Sequence, residues 1–102
     1  MSGTPARGMD DDRLRAALRA IGMAAFVRHL DLFKGPQGHA EAAAELQGRS
    51  GWTAHSCRSR VSKARAILAS GREGDALAMI AASERVEADT SRAARAILRR
   101  EG

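Results

Sequence analysis

Residues 40–65 read AEAAAELQGRSGWTAHSCRSRVSKAR, and the pattern of this stretch decides between helix and sheet. Ala42, Ala43 and Leu46 fall on one face of a short helix that begins near His39 and is expected to stop at Gly48. The loop Gly48-Arg49-Ser50-Gly51-Trp52 leads to Thr53, a good N-cap, since its hydroxyl can accept from an orphan backbone N–H of the following turn. Beyond it Ala54, Cys57, Val61, Ala64 and Leu68 advance by 3, 4, 3 and 4 residues. That spacing is one stripe on a helix running from Thr53 to about Ser70 and ended by Gly71. No part of the chain alternates with period two for long enough to make a strand.

On the N-terminal side, Asp10, Asp11 and Asp12 supply a cap and first-turn negative charge to a helix expected to reach about Lys34. Leu14, Leu18, Ile21 and Ala25 keep a 3.6 period, Phe26, Leu30 and Phe33 continue it with a small rotation, and Gly22 marks a bend. Lys34-Gly35-Pro36-Gln37-Gly38 stops it. On the other side a helix is expected over 75–83, with Leu77, Met79 and Ile80 apolar. Another runs from a cap at Asp89 or Thr90 to about Arg100, burying Ala93, Ala94, Ile97 and Leu98.

The composition agrees: 22 alanines, 15 arginines, no tyrosine, and Phe26, Phe33 and Trp52 as the only aromatics favour helix over sheet. At 102 residues the chain is one domain with a thin core, which argues against a deep substrate cavity. The expected fold is all-α, a compact bundle of about five helices over residues 11–102 behind a flexible segment, 1–10. Within it the helix-turn-helix segment covers about 39–70 and the C-terminal helices about 74–100.

The net charge is +5, and its location is more informative than its size. Between Leu46 and Arg72 stand six basic residues and no acid, with Glu45 and Glu73 bracketing the stretch. The rest of the chain carries 11 basic and 12 acidic side chains, so the whole excess lies in this central segment. A surface tuned only for solubility would mix the two signs along its length. Concentrated positive charge points to a polyanion.

A short alanine-rich helix, a glycine-containing turn, an apolar residue with a Thr cap, and then a helix studded with Ser and Arg resemble the helix-turn-helix of DNA-binding proteins. The string Gly51-Trp52-Thr53-Ala54-His55-Ser56-Cys57-Arg58-Ser59-Arg60-Val61-Ser62 is similar to the turn and recognition helix of small bacterial, plasmid and phage regulators, and to the DNA-binding region of sigma factors. The resemblance covers about a quarter of the chain. It implies that Trp52 takes the apolar turn position, Thr53 the cap, and Cys57 and Val61 the inward positions. One departure is a connection of about five or six residues, Gly48 to Trp52, where the tightest members use about three or four.

The residues support the same site independently. With Cys57, Val61, Ala64 and Leu68 inward, the outward face holds His55, Ser56, Ser59, Ser62, Lys63 and Ala66, with Arg58 and Arg60 on its shoulders. These side chains are short or basic, as a helix entering the major groove requires, and Arg can read guanine bidentately. Phosphate contacts are expected from the helix N-terminus at Thr53, from Arg49 in the loop, and from Arg65 and Arg72.

Other chemistries fare worse. Cys57 is alone, so no intrachain disulfide forms, and its inward position marks a small core residue. Trp52 reads as a plug between helices. His29 and His39 lack ligand-spaced partners, and His55-Ser56-Cys57 is too tightly spaced for a usual metal site. No phosphate loop, carboxylate pair or Ser/His/Asp order stands out, so no enzyme and no cofactor is expected. Met1–Asp12 holds no apolar run of a signal peptide and no stretch nears the roughly 18 apolar residues of a bilayer span. The expectation is a cytoplasmic, nucleoid-associated protein with no membrane partner.

Sequence-specific binding of double-stranded DNA by a small transcriptional regulator is therefore the leading expectation, with helix 53–70 as recognition helix. A homodimer is expected from the apolar positions left over at Leu77, Ile80, Ile97 and Leu98, and the transcription machinery is a candidate protein partner. The alternative is a helical adaptor or anti-activator whose basic face meets an acidic protein. Structured RNA draws on the same charge.

Overall fold

Asp10 caps the first helix as its sequence position requires, its carboxylate accepting from the Arg13 backbone N–H at 2.8 Å. From there the computed structural model, which describes residues 9–101, is all-α, with no strand among those residues. Its helices are α1 (Asp11–Ile21), α2 (Met23–Arg28), α3 (Leu30–Lys34), α4 (His39–Ser50), α5 (Ala54–Ala69), α6 (Glu73–Ala82) and α7 (Ala88–Glu101). Residues 1–8 of the expected flexible segment lie outside the described part.

There are seven helical segments among the described residues instead of about five, because the expected first helix is broken twice. Gly22, at φ +93°, ends α1 with its N–H on the Leu18 carbonyl and starts α2 with its own carbonyl on the Phe26 N–H. An L-residue is disfavoured at that angle, so glycine is what permits this corner. His29, at φ −110° and ψ 19°, makes the second break. The two corners fold α1, α2 and α3 around a shared centre and bring Phe26 and Phe33 to 6.2 Å between ring centroids.

The end of α4 also differs from the sequence expectation. Gly48 lies inside the helix, which continues to Ser50 and ends at Gly51, φ +79° and ψ 4°. The Gly51 N–H bonds the Gln47 carbonyl at 2.8 Å, and the Ser50 hydroxyl bonds the Leu46 carbonyl at 2.8 Å. A left-handed glycine closes the last turn, whereas a glycine within a helix costs only about 1 kcal/mol. The connection to α5 is thus three residues, Gly51 to Thr53, shorter than the five or six expected from Gly48 to Trp52.

The Thr53 cap forms as expected, its hydroxyl accepting from Ser56 N–H at 3.1 Å. Of the α5 stripe, Cys57, Val61 and Ala64 are fully buried, but Ala54 at its start is exposed, Ile67 occupies the next inward position and Leu68 is only half-buried. α5 packs on α1, α3, α4 and α6, and Leu68 borders an open depression that it shares with Phe33, Lys34 and Glu73. One core joins Leu14, Leu18 and Ile21 of α1, Phe26 and Phe33, Leu46 of α4, the α5 stripe, and Leu77 and Ile80 of α6.

Leu77 and Ile80 are therefore inside the chain, which removes them from the leftover apolar positions expected to form a dimer contact. On α7, which packs on α6 and α2, Ala94 and Ser91 are buried, while Ala93, Ile97 and Leu98 are half-buried. α6 begins at Glu73, two residues before the expected Asp75. No helix of the described residues is long and apolar enough to cross a membrane.

Candidate nucleic-acid interface

The outward face of α5 consists of Ala54, His55, Arg58, Ser62, Lys63 and Ala66, all exposed. Ser59, half-buried at its edge, accepts from Lys63 Nζ at 3.1 Å, an i,i+4 bond that lays the lysine along the helix. Arg58, His55 and Ser62 make no side-chain hydrogen bond or ion pair among the described residues, so their polar groups face solvent. Arg58 stands beside a shallow depression of about 120 Å³ between α4 and α5, floored by Ala40, Ala43 and Ala44. The exposed α5 N-terminus, capped by Thr53, completes a surface without an acidic side chain.

The remaining basic residues of the central segment serve other ends. Arg60 turns inward: Nε donates to the Ser56 hydroxyl at 3.0 Å, Nη1 donates to the Ile21 carbonyl, and the guanidinium carbon lies 3.9 Å from the Trp52 ring centroid. Arg65 donates to the Phe33 carbonyl at 3.2 Å and the Gly35 carbonyl at 3.3 Å, closing the C-terminal end of α3. Both are half-buried, and their acceptors are neutral, so no acid cancels their charge.

Arg49 and Arg72 are different, because their charges are matched by acids. Arg49 sits in the last turn of α4 rather than in a loop, bonding Glu45 at 2.6 Å and Asp31 at 3.3 Å. Its guanidinium holds the Asp31 carboxyl below the usual range, and Gln37 together with Arg49 does the same for Glu45. Arg72 joins Asp11, Asp75 at 2.7 Å and the Met9 carbonyl, tying the start of α1 to the start of α6. The structure therefore brings together Thr53, His55, Arg58, Ser59, Ser62 and Lys63 on one open face. It draws Ser56, Arg60 and Arg65 into packing contacts and places Arg49 behind that face, on the α3–α4 side.

Trp52 is the plug expected of it, half-buried between Arg60 and His29, whose ring meets it edge-on at 6.2 Å. His29 is buried and its Nδ1 lacks a hydrogen-bond partner among the described residues. Burial, with Arg49 and Arg28 adding repulsion, pushes its pKa below the ordinary value. Cys57 is fully buried and free. Among the described residues no group of three or more His, Cys, Asp or Glu is placed to hold a metal ion.

Comparison with protein-family models, with curated proteins and with solved structures finds no match to this chain.

Proposed function

From these features we propose that the chain is a double-stranded DNA-binding protein, in which α4 and α5 act as a helix-turn-helix and α5 enters the major groove. The observation that carries this reading is the open face of α5, with Arg58 and Lys63 among short side chains and no acid nearby. The left-handed Gly51 supports it, because a three-residue turn leaves the N-terminal half of α5 uncovered. Arg58 is the base-reading side chain in this arrangement, with His55, Ser59 and Ser62 as adaptable neighbours. Lys63 and the α5 N-terminus at Thr53 take phosphates. Arg60 and Arg65 contribute charge and hold α5 in place. A role as a small transcriptional regulator follows if sites are read selectively.

A second reading, a helical adaptor for an acidic protein, draws on the same reduced set of cations. Asp31, Glu45, Asp11 and Asp75 neutralise Arg49 and Arg72, leaving four of the six central cations to act on a polyanion. A selection from a random-sequence duplex pool at two salt concentrations, with sequencing of the retained fraction, separates the two. Enrichment of a defined motif, with retention falling steeply with salt, supports the DNA reading. Absence of retention at low salt overturns it and leaves the adaptor.

A further inference from the structure

An open cavity of about 560 Å³ lies between the α1–α2 corner and the α6–α7 connection. The volume falls in the range of small-molecule sites. Met23, Ala24 and Val86 give it an apolar lining over the buried Leu18, and Arg15, Arg19 and Arg85 bring three guanidiniums against one acid, Glu87. Arg19 and the Arg85 side chain have no ion-pair partner among the described residues, and Arg15 reaches only Asp12, at 3.5 Å across an exposed turn. An apolar lining with unmatched guanidiniums suits a ligand with an apolar body and one anionic end, because Arg binds carboxylates bidentately.

Gly22 belongs to this cavity and also to the support of α5. A Cβ built on it would stand 3.5 Å from Arg60 Nη1, and the preceding carbonyl, Ile21, is the acceptor of that same nitrogen. Arg60 in turn covers Trp52 at the α4–α5 turn. The backbone corner at 21–22 is therefore the wall between the cavity and the arginine that positions α5.

We propose that this cavity is a binding site for a small amphipathic organic carboxylate, and that its occupancy is transmitted through the Ile21–Gly22 corner and Arg60 to Trp52. The site is independent of what α5 binds. Its chemistry identifies the ligand class as medium-chain alkyl or aryl carboxylates, with the carboxylate on Arg19 and Arg85 and the apolar part on Met23, Ala24 and Val86.

Trp52 is the only tryptophan and the chain has no tyrosine, so emission reports on the surroundings of this one ring, stacked by Arg60 and met edge-on by His29. The test titrates sodium octanoate into the full chain without DNA, following Trp52 emission and backbone amide shifts. The expected result is saturation in the low-millimolar range, shifts centred on the amides of Leu18, Gly22, Met23, Val86 and Thr90 and extending to Ile21, Arg60 and Trp52, and a parallel change in emission. Octanol and acetate, lacking the charge and the chain respectively, should bind about tenfold more weakly than octanoate, and so should octanoate to the Arg19→Ala, Arg85→Ala double variant. Shifts that do not saturate, shifts centred on the half-buried face of α7, or equal binding of octanol and octanoate overturn the site. Saturating shifts at the cavity with unchanged Trp52 emission overturn the transmission.

Discussion

The guanidinium carbon of Arg60 rests 3.9 Å from the centroid of the Trp52 ring, while the same side chain bonds the Ile21 carbonyl and the Ser56 hydroxyl. One arginine thus connects the end of α1, the α4–α5 turn and the first turns of α5. Its planar fork does three things at once that a lysine cannot, since stacking and directed donation both need the guanidinium.

Arg60→Ala should lower stability by about 1–3 kcal/mol, the sum of a partly desolvated cation–π contact and two hydrogen bonds less what water returns. Arg60→Lys should recover less than half of that. Urea unfolding checks both, with Trp52 emission as probe, and the two variants should also differ in native-state emission. An unfolding midpoint unchanged in Arg60→Ala would mean that the stack contributes nothing to holding α5.

The two glycines of the α4 end should respond in opposite directions. A Cβ at Gly48 meets nothing within 4 Å and the residue is helical, so Gly48→Ala should stabilise by about 0.5–1 kcal/mol. Gly51 also has open space, but its φ of +79° makes Gly51→Ala cost about 1 kcal/mol or more. Thermal or urea unfolding of the pair locates the end of the helix. Destabilisation by Gly48→Ala would restore the longer loop.

The inward residues Cys57, Val61 and Ala64 were legible because burial repeats every 3.6 residues, and the Thr53 cap because its partner lies three residues on. Which of Gly48 and Gly51 ends α4 was not legible, since both are glycines and only the chain's path decides which takes the left-handed angle. The breaks at Gly22 and His29 were hidden for a related reason: Leu14 to Phe33 keeps an apolar period that a straight helix and a folded one satisfy equally. The partners of the arginines were least legible. Arg60 and Arg65 bond the carbonyls of Ile21, Phe33 and Gly35, and a carbonyl 30 or more residues away leaves no mark in sequence. The cavity beside Gly22 depends on the same corners and could not be seen without them.

Stability should depend on pH through His29. Burial first, then Arg49 and Arg28, lowers its pKa below the ordinary 6.5, with Asp31 opposing them. Below 6.5 the unfolded chain binds a proton that the folded chain resists, so the contribution of the neutral ring is complete above that value and is lost as pH falls toward the folded-state pKa. The depressed carboxyls of Asp11, Asp31 and Glu45 act at lower pH, their contribution fading as pH falls below their ordinary values of 3.8, 3.8 and 4.5. Urea midpoints measured from about pH 8 to about pH 5 should decline in the wild type and decline less in His29→Phe, which keeps an aromatic edge beside Trp52. Identical slopes for the two proteins would remove His29 as the cause.

Arg58 and Lys63 give the sharpest test of what the α5 face does, because neither supports the fold through a carboxylate or a buried contact. Arg58→Ala and Lys63→Ala should each leave stability within about 0.5 kcal/mol of wild type. On a selected duplex and its single-base variants, Arg58→Ala should lose about 1–3 kcal/mol of discrimination at one position, as expected when a bidentate bond to guanine is removed. Lys63→Ala should weaken every duplex about equally and reduce the slope of log affinity against log salt by about one, as expected when one phosphate is no longer neutralised. Fluorescence anisotropy over a salt series measures both quantities. Uniform weakening by both variants would make α5 an electrostatic surface that does not read bases, and the selectivity of a regulator would then have to reside elsewhere in the chain.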